Sequence, residues 1–226
     1  MAETSKKIRI LQVIFDSEIK AYEVPAFRGA IIKKVGQENI LFHNHLNNGY
    51  LYKYPLIQYK TIHRHPAIVC VDYGVDEIHK FFENKDWSIN ISDRWLDMKI
   101  DKLNMNQFTM NVWDKHFKYN IRHWIALNQE NYKKYMAMDS LVEQTTFLEA
   151  LLKANILSFA KGIDWQVPKP VELSITEIKE VRPVRLKKQK VLGFNLDFKT
   201  NVFLPNNIGL GKSVSLGFGN VREIRH

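Results

Sequence analysis

The chain has 226 residues, 45% of them hydrophobic, and a formal net charge of +9 at pH 7. That is long enough for one large or two small domains, each with a core, and too apolar for wholesale disorder. No apolar run approaches the ~18 residues needed to cross a bilayer. The start, Met1-Ala2-Glu3-Thr4-Ser5-Lys6-Lys7, lacks the apolar stretch of a signal peptide, so a cytoplasmic location with no membrane partner is expected. The basic balance favours a polyanionic partner. Residues 161–226 hold 12 Lys and Arg against 6 Asp and Glu, whereas the first 100 hold 14 against 12, so the positive charge gathers at the C-terminal end.

Residues 7–15 are apolar at nearly every position past Arg9 and predict a strand covered on both faces. A helix is expected from Pro25, with Phe27, Ile31 and Val35 on one stripe and Gly36 near its end. Residues 55–60 and 66–73 predict two strands, each opening at a proline, and the second leads into a short helix with Val75, Ile78 and Phe82 inward. The one cysteine, Cys70, lies in the second of these strands and reads as a small core residue. Residues 97–112 suggest an irregular strand or hairpin.

The second half opens with an aromatic, strand-like stretch at 117–127. Ser140 with Glu143 fits a capping box and Gly162 a helix stop. Between them Leu141, Leu148, Leu152 and Phe159 form one face. Two alternating strands follow, one through Val171, Leu173 and Ile175, the other through Leu192, Phe194, Leu196 and Phe198. The simplest account is an α+β chain of two tandem ferredoxin-like (RRM-like) βαββαβ domains, spanning 1–114 and 115–226.

Two C-terminal features point to chemistry. The run 181–190 carries Arg182, Arg185, Lys187, Lys188 and Lys190 with no acid. It is either a solvated hairpin turn or a β-hairpin that lays its side chains along an RNA backbone. Residues 209–219 then hold Gly209, Gly211, Gly217 and Gly219 with Lys212. Successive glycines let amide N–H groups converge on a phosphate, and they equally suit a bulge at a sheet end. The spacing is neither that of a Walker A loop nor that of the dinucleotide fingerprint.

Gly-Leu-Gly followed five residues later by Gly-Phe-Gly resembles the CRISPR repeat-processing endoribonucleases of the RAMP superfamily. Three further stretches are similar to that family: residues 54–60, Trp124-Ile125-Ala126-Leu127-Asn128, and residues 155–162. Together they spread over nearly the whole chain. The resemblance implies two ferredoxin-like domains and cleavage of CRISPR precursor RNA within each repeat, without a metal ion or other cofactor. It also implies CRISPR repeat RNA, as precursor and processed guide, as partner, with a multi-subunit effector complex beyond it. A non-catalytic RNA-binding subunit of such a complex is the alternative.

Metal-free RNA cleavage needs a base for the attacking 2′-hydroxyl and an acid for the departing 5′-oxygen. Histidine suits both, with an unperturbed pKa of ~6.5. His43-Asn44-His45 follows the first helix, and two histidines at i and i+2 share a face if the segment is extended. The resemblance implies a His-x-His pair with a tyrosine seven residues on, here His43, His45 and Tyr52, as the catalytic set. A second pair, His63-Arg64-His65, raises a zinc or iron site, but no carboxylate or cysteine at ligand spacing accompanies either pair. A turn histidine facing solvent or RNA is the simpler reading there.

Overall fold

A computed structural model describes residues 5–36, 39–43, 45–46, 49–50, 54–83, 86–91, 93–186 and 189–225. The chain divides into two compact units, one of Lys7–Thr109 with Val214–Gly217, the other built mainly from Met110–Ser213 and Phe218–His226.

In the N-terminal unit, strand β1 (Lys6–Phe15) leads to helix α1 (Val24–Val35), which has Pro25 in its first turn and ends at Gly36. The predicted stripe is the buried one: Phe27 and Ile31 are inaccessible to solvent and Val35 nearly so. Each such side chain contributes about 1.5–3 kcal/mol on burial. Phe15, Phe27 and Tyr59 interlock edge to face, with centroids 6.2 Å apart for Phe15–Phe27 and 5.8 Å for Phe27–Tyr59. Strands β2 (Ile57–Ile62) and β3 (His65–Val71) form a tight hairpin. Its two turn residues, His63 and Arg64, both have positive φ, 50° and 73°, as a two-residue hairpin turn with the right twist requires. Cys70 is fully buried among the core residues, and burial pushes its thiol pKa up, away from reactivity.

After β3 the helical stretch breaks at Ile78 into Gly74–Glu77 and His79–Phe82. The break advances the inward stripe by one residue, so Phe81 is fully buried and Phe82, the expected core residue, is only partly so. Strand β4 (Ile100–Met110) completes a sheet of order β2-β3-β1-β4.

The C-terminal unit repeats that order as β6-β7-β5-β8. Its strands are β5 (Val112–Trp124), β6 (Leu173–Leu186), β7 (Gln189–Val202) and β8 (Asn220–Glu223). Helix α2 (Gln129–Met136), which the hydrophobic pattern did not suggest, precedes the long α3 (Leu141–Gly162). The Glu143 N–H donates to the Ser140 side chain at 3.1 Å, the expected cap. Leu148, Leu152, Ile156 and Phe159 are fully buried, but Leu141 is 70% exposed because the first turn carries it past the core. Inward residues of the sheet align in register: Tyr119 opposite Phe198 and Ile121 opposite Leu196.

The tandem ferredoxin-like expectation therefore holds, with one departure. Between β7 and β8, where the first unit has its second helical stretch, the second half has only a 3₁₀ turn, Val214–Leu216, within the glycine-rich segment. No helix among the described residues is long and apolar enough to cross a membrane.

Candidate functional site

The histidine segment lies between α1 and β2. His43 is the last residue of a helical turn, Ile40–His43. His45 opens a two-residue strand, His45–Leu46, that pairs antiparallel with Gly49–Tyr50, placing His45 opposite Tyr50. Asn44 and Tyr52 lie outside the described residues. The segment is tied to the core one residue before His43: Phe42 is buried, and the Tyr59 hydroxyl donates to the Phe42 carbonyl at 3.1 Å. Burial pushes the Tyr59 pKa up, so the phenol stays neutral and remains a donor.

The other histidine pair stands apart in its bonding. His63 is exposed at the β2–β3 turn, while His65 Nδ1 lies 3.0 Å from the Ser17 carbonyl. Among the described residues, no group of three or more His, Cys, Asp or Glu is arranged to hold a metal ion.

The basic run is a hairpin. Strands β6 and β7 pair out to Arg185 opposite Lys190 and Leu186 opposite Gln189. Arg185 and Lys190 are exposed near the tip, and Lys187 and Lys188 lie outside the described residues. Arg182 is farther back and differs from the tip residues: its guanidinium Nη2 donates to His123 Nε2 at 2.5 Å, and its Nη1 lies 3.5 Å from Glu180 Oε1.

The glycine-rich segment is built into the sheet end. Leu210 N–H donates to the Gly219 carbonyl (2.9 Å), Gly219 N–H to that of His123 (3.1 Å), and Lys212 N–H to that of Ile125 (3.2 Å). Gly219 has φ +64°, and a Cβ there would stand 1.8 Å from the Leu210 carbonyl oxygen. Gly211 has φ +92°, and its Cβ would stand 2.6 Å from Trp124 Nε1. Both positions need glycine for packing, whatever they bind. Gly209 bridges to Asn220. Lys212 is exposed, with its ammonium pKa lowered by partial burial. Gly217 sits in the part of the segment that belongs to the N-terminal unit, against the Tyr59 carbonyl.

Three of the four stretches singled out in the sequence meet at Trp124. This fully buried ring abuts Gly211, and its Nε1 donates to Asn155 Oδ1 at 2.9 Å. Asn128, at the end of the tryptophan stretch, caps α2 by accepting from the Asn131 N–H at 2.6 Å.

Sequence reasoning gives neither Tyr59 nor His123 a functional role. Tyr59 reads as one more aromatic in a strand. His123 occupies a bulge, with φ 51°, where Arg122 and His123 together oppose Asn195. Tyr59 lies in the singled-out stretch 54–60 without being set apart there, and His123 lies within the strand-like stretch 117–127.

Comparison with known proteins follows this division of the chain. Residues 6–109 match the family model of the Cas6b N-terminal domain, and residues 111–224 that of the Cas6b C-terminal domain. A crystal structure of Cas6b superposes with a TM-score of 0.85 at 28% identity, covering 97% of this chain and all of that one. A second, of the CRISPR RNA processing endoribonuclease Cas6b, gives 0.72 at 24% identity with the same coverage. An uncharacterized protein of Methanocaldococcus jannaschii is 37% identical over 101 residues, 45% of this chain and 67% of that protein. With both halves matched in order, the chain belongs to the Cas6b family.

Proposed function

We propose that this Cas6b-family chain is a metal-independent endoribonuclease that cuts CRISPR precursor RNA within its repeats to release guide RNAs. The observation that carries the reading is the match of both halves to the Cas6b domains, one of whose solved relatives is described as a CRISPR RNA processing endoribonuclease. The histidine segment supports it, since His43 and His45 flank one residue between a helical turn and a strand, next to a core anchor.

In this reading the 2′-oxygen attacks the adjacent phosphorus while the bond from phosphorus to the 5′-oxygen breaks. One of His43 and His45 takes the 2′-hydroxyl proton, and the other gives a proton to the leaving oxygen. Tyr52 donates to the phosphate. The products are a 2′,3′-cyclic phosphate and a 5′-hydroxyl. Arg182, Arg185, Lys187, Lys188 and Lys190 hold the RNA backbone, with Gly209, Gly211, Lys212, Gly217 and Gly219 forming the second part of the grip. The work is cytoplasmic, and the processed guide passes to a CRISPR effector complex.

The test is incubation of the chain with its repeat RNA in EDTA. One defined cut ending in a 2′,3′-cyclic phosphate is expected. Binding without cutting would make the chain a non-catalytic RNA-binding subunit instead.

A further inference from the structure

The β5 bulge places a second cluster on the face of the C-terminal sheet that points away from its core. Trp124 pairs with Phe194 and Ile121 with Leu196, so Arg122 and His123 both oppose Asn195. The extra residue turns His123 outward beside Arg122 while Trp124 stays in the core. The backbone of His123 is fixed on both sides: its N–H donates to Asn195 Oδ1 at 2.7 Å, and its carbonyl accepts from Gly219 of the glycine segment.

The ring is fixed as well. Arginine has only donors, so His123 Nε2 must accept from Arg182 Nη2, which makes the imidazole neutral with its proton on Nδ1. Glu180 steadies the other side of the guanidinium and itself accepts from Asn195 Nδ2. Arg182 is thus oriented by a neutral acceptor on one side and by a more distant carboxylate on the other, which offsets only part of its charge. The Glu180 interaction is long, 3.5 Å, and the Arg182 side chain remains about half exposed. Two of its five N–H donors are engaged, and the rest are open to a ligand. Other groups facing the cluster are Arg122 on the same strand and Asn220, opposite Arg122 on β8. Lys179 is nearby but held by Asp197 at 2.6 Å.

We propose that His123 and Arg182 form a binding site for one phosphodiester of single-stranded RNA on this open face. Arg182 presents its free donors and Arg122 adds charge. Arg182 is then a pre-organised reader of the backbone, distinct from the exposed Arg185 and Lys190 near the hairpin tip, and His123 is the residue that makes it so. The inference rests on the RNA-processing reading above and deepens it.

The test is fluorescence anisotropy with the full chain and a single-stranded CRISPR repeat RNA from the source genome. A 2′-fluoro group at every ribose prevents cutting. H123N tolerates the positive φ but is too short to reach Arg182, whereas H123Q restores an acceptor at the right distance. R182Q and H123N are each expected to weaken binding roughly tenfold, as for loss of a charged hydrogen bond. R182Q should also lower the salt slope by about 0.7. The double variant H123N/R182Q should bind no more weakly than R182Q, because the two act as one unit, and H123Q should recover most of the affinity. An H123N protein that melts like wild type and binds as tightly overturns the proposal, as does an additive double variant. If H123N does not fold, unchanged binding by R182Q overturns it. Wild-type chain that neither binds this RNA nor cuts the unmodified repeat overturns both this site and the function above. Normal binding and cutting with unaffected variants overturns this site alone.

Discussion

The Tyr59 hydroxyl, on the second strand of the first sheet, donates to the carbonyl of Phe42 at 3.1 Å, one residue before His43. The bond joins residues 17 apart and anchors the helical turn that delivers the histidines. Tyr59 is itself locked edge to face against Phe27. Y59F removes the donor while keeping the ring, and it leaves a buried carbonyl unsatisfied. A loss of about 1–3 kcal/mol in urea unfolding is expected. Single-turnover cleavage should slow several-fold with RNA affinity unchanged. If the rate does not fall, the anchor does not position the histidines.

H43A and H45A should each cut repeat RNA at least about a hundredfold more slowly, the usual contribution of a general acid or base. Their RNA binding, measured by anisotropy, should stay near wild type. Near-normal cutting by both variants would remove the pair from the mechanism.

Two glycines separate backbone demand from open space. Gly219→Ala puts a Cβ against the Leu210 carbonyl at a positive φ, and a loss well above 1 kcal/mol is expected. Gly29 lies within α1 with nothing within 4 Å of its Cβ position. Gly29→Ala should therefore stabilise the chain by about 0.5–1 kcal/mol. Thermal melting of the two variants reads the opposite signs directly.

His123 makes the fold acid-sensitive. Burial lowers its pKa from the ordinary 6.5; Arg182 and Arg122 lower it further, and Glu180 pulls it back. Below pH 6.5 the unfolded chain takes up this proton more readily than the folded one, so stability falls as pH drops from there through the lower folded value. The drop in unfolding free energy between the two sides of pH 6.5 should be smaller in H123Q than in wild type. An identical drop in both would show that His123 does not carry this linkage.

At the hairpin tip, Arg185 and Lys190 face one another across the strands and are exposed. Alanine at both should weaken RNA binding and lower the salt slope by about 0.7 for each phosphate that is no longer neutralised. Binding that keeps its slope would show that the tip does not touch phosphate.

Much of this protein follows from local sequence. The α1 stripe of Phe27, Ile31 and Val35, the Ser140 cap and the alternation along β7 each depend on residues a few positions apart, and all stand as expected. The order of those elements is enough to imply the tandem fold, because a βαββ series closes in few ways. The failures are also local in origin. A break at Ile78 moved the buried position from Phe82 to Phe81. Missing apolar periodicity hid α2, which rests on an Asn128 cap and one buried tyrosine, Tyr135.

What only the tertiary structure decided is which distant groups meet. The glycines of residues 209–219 suggest a phosphate cradle in sequence; the fold adds that Gly211 meets Trp124 and Gly219 the backbone of Leu210, so packing requires glycine at these two positions as well. In sequence His123 is one residue of the strand-like stretch 117–127. Its outward turn exists because β7 offers one residue, Asn195, to two of β5, and its neutrality exists because Arg182 arrives from a third strand. Residue types and their spacing carry the chemistry and the order of elements. Strand register and approach distance belong to pairs far apart in the chain, and they are settled only when both partners are in place.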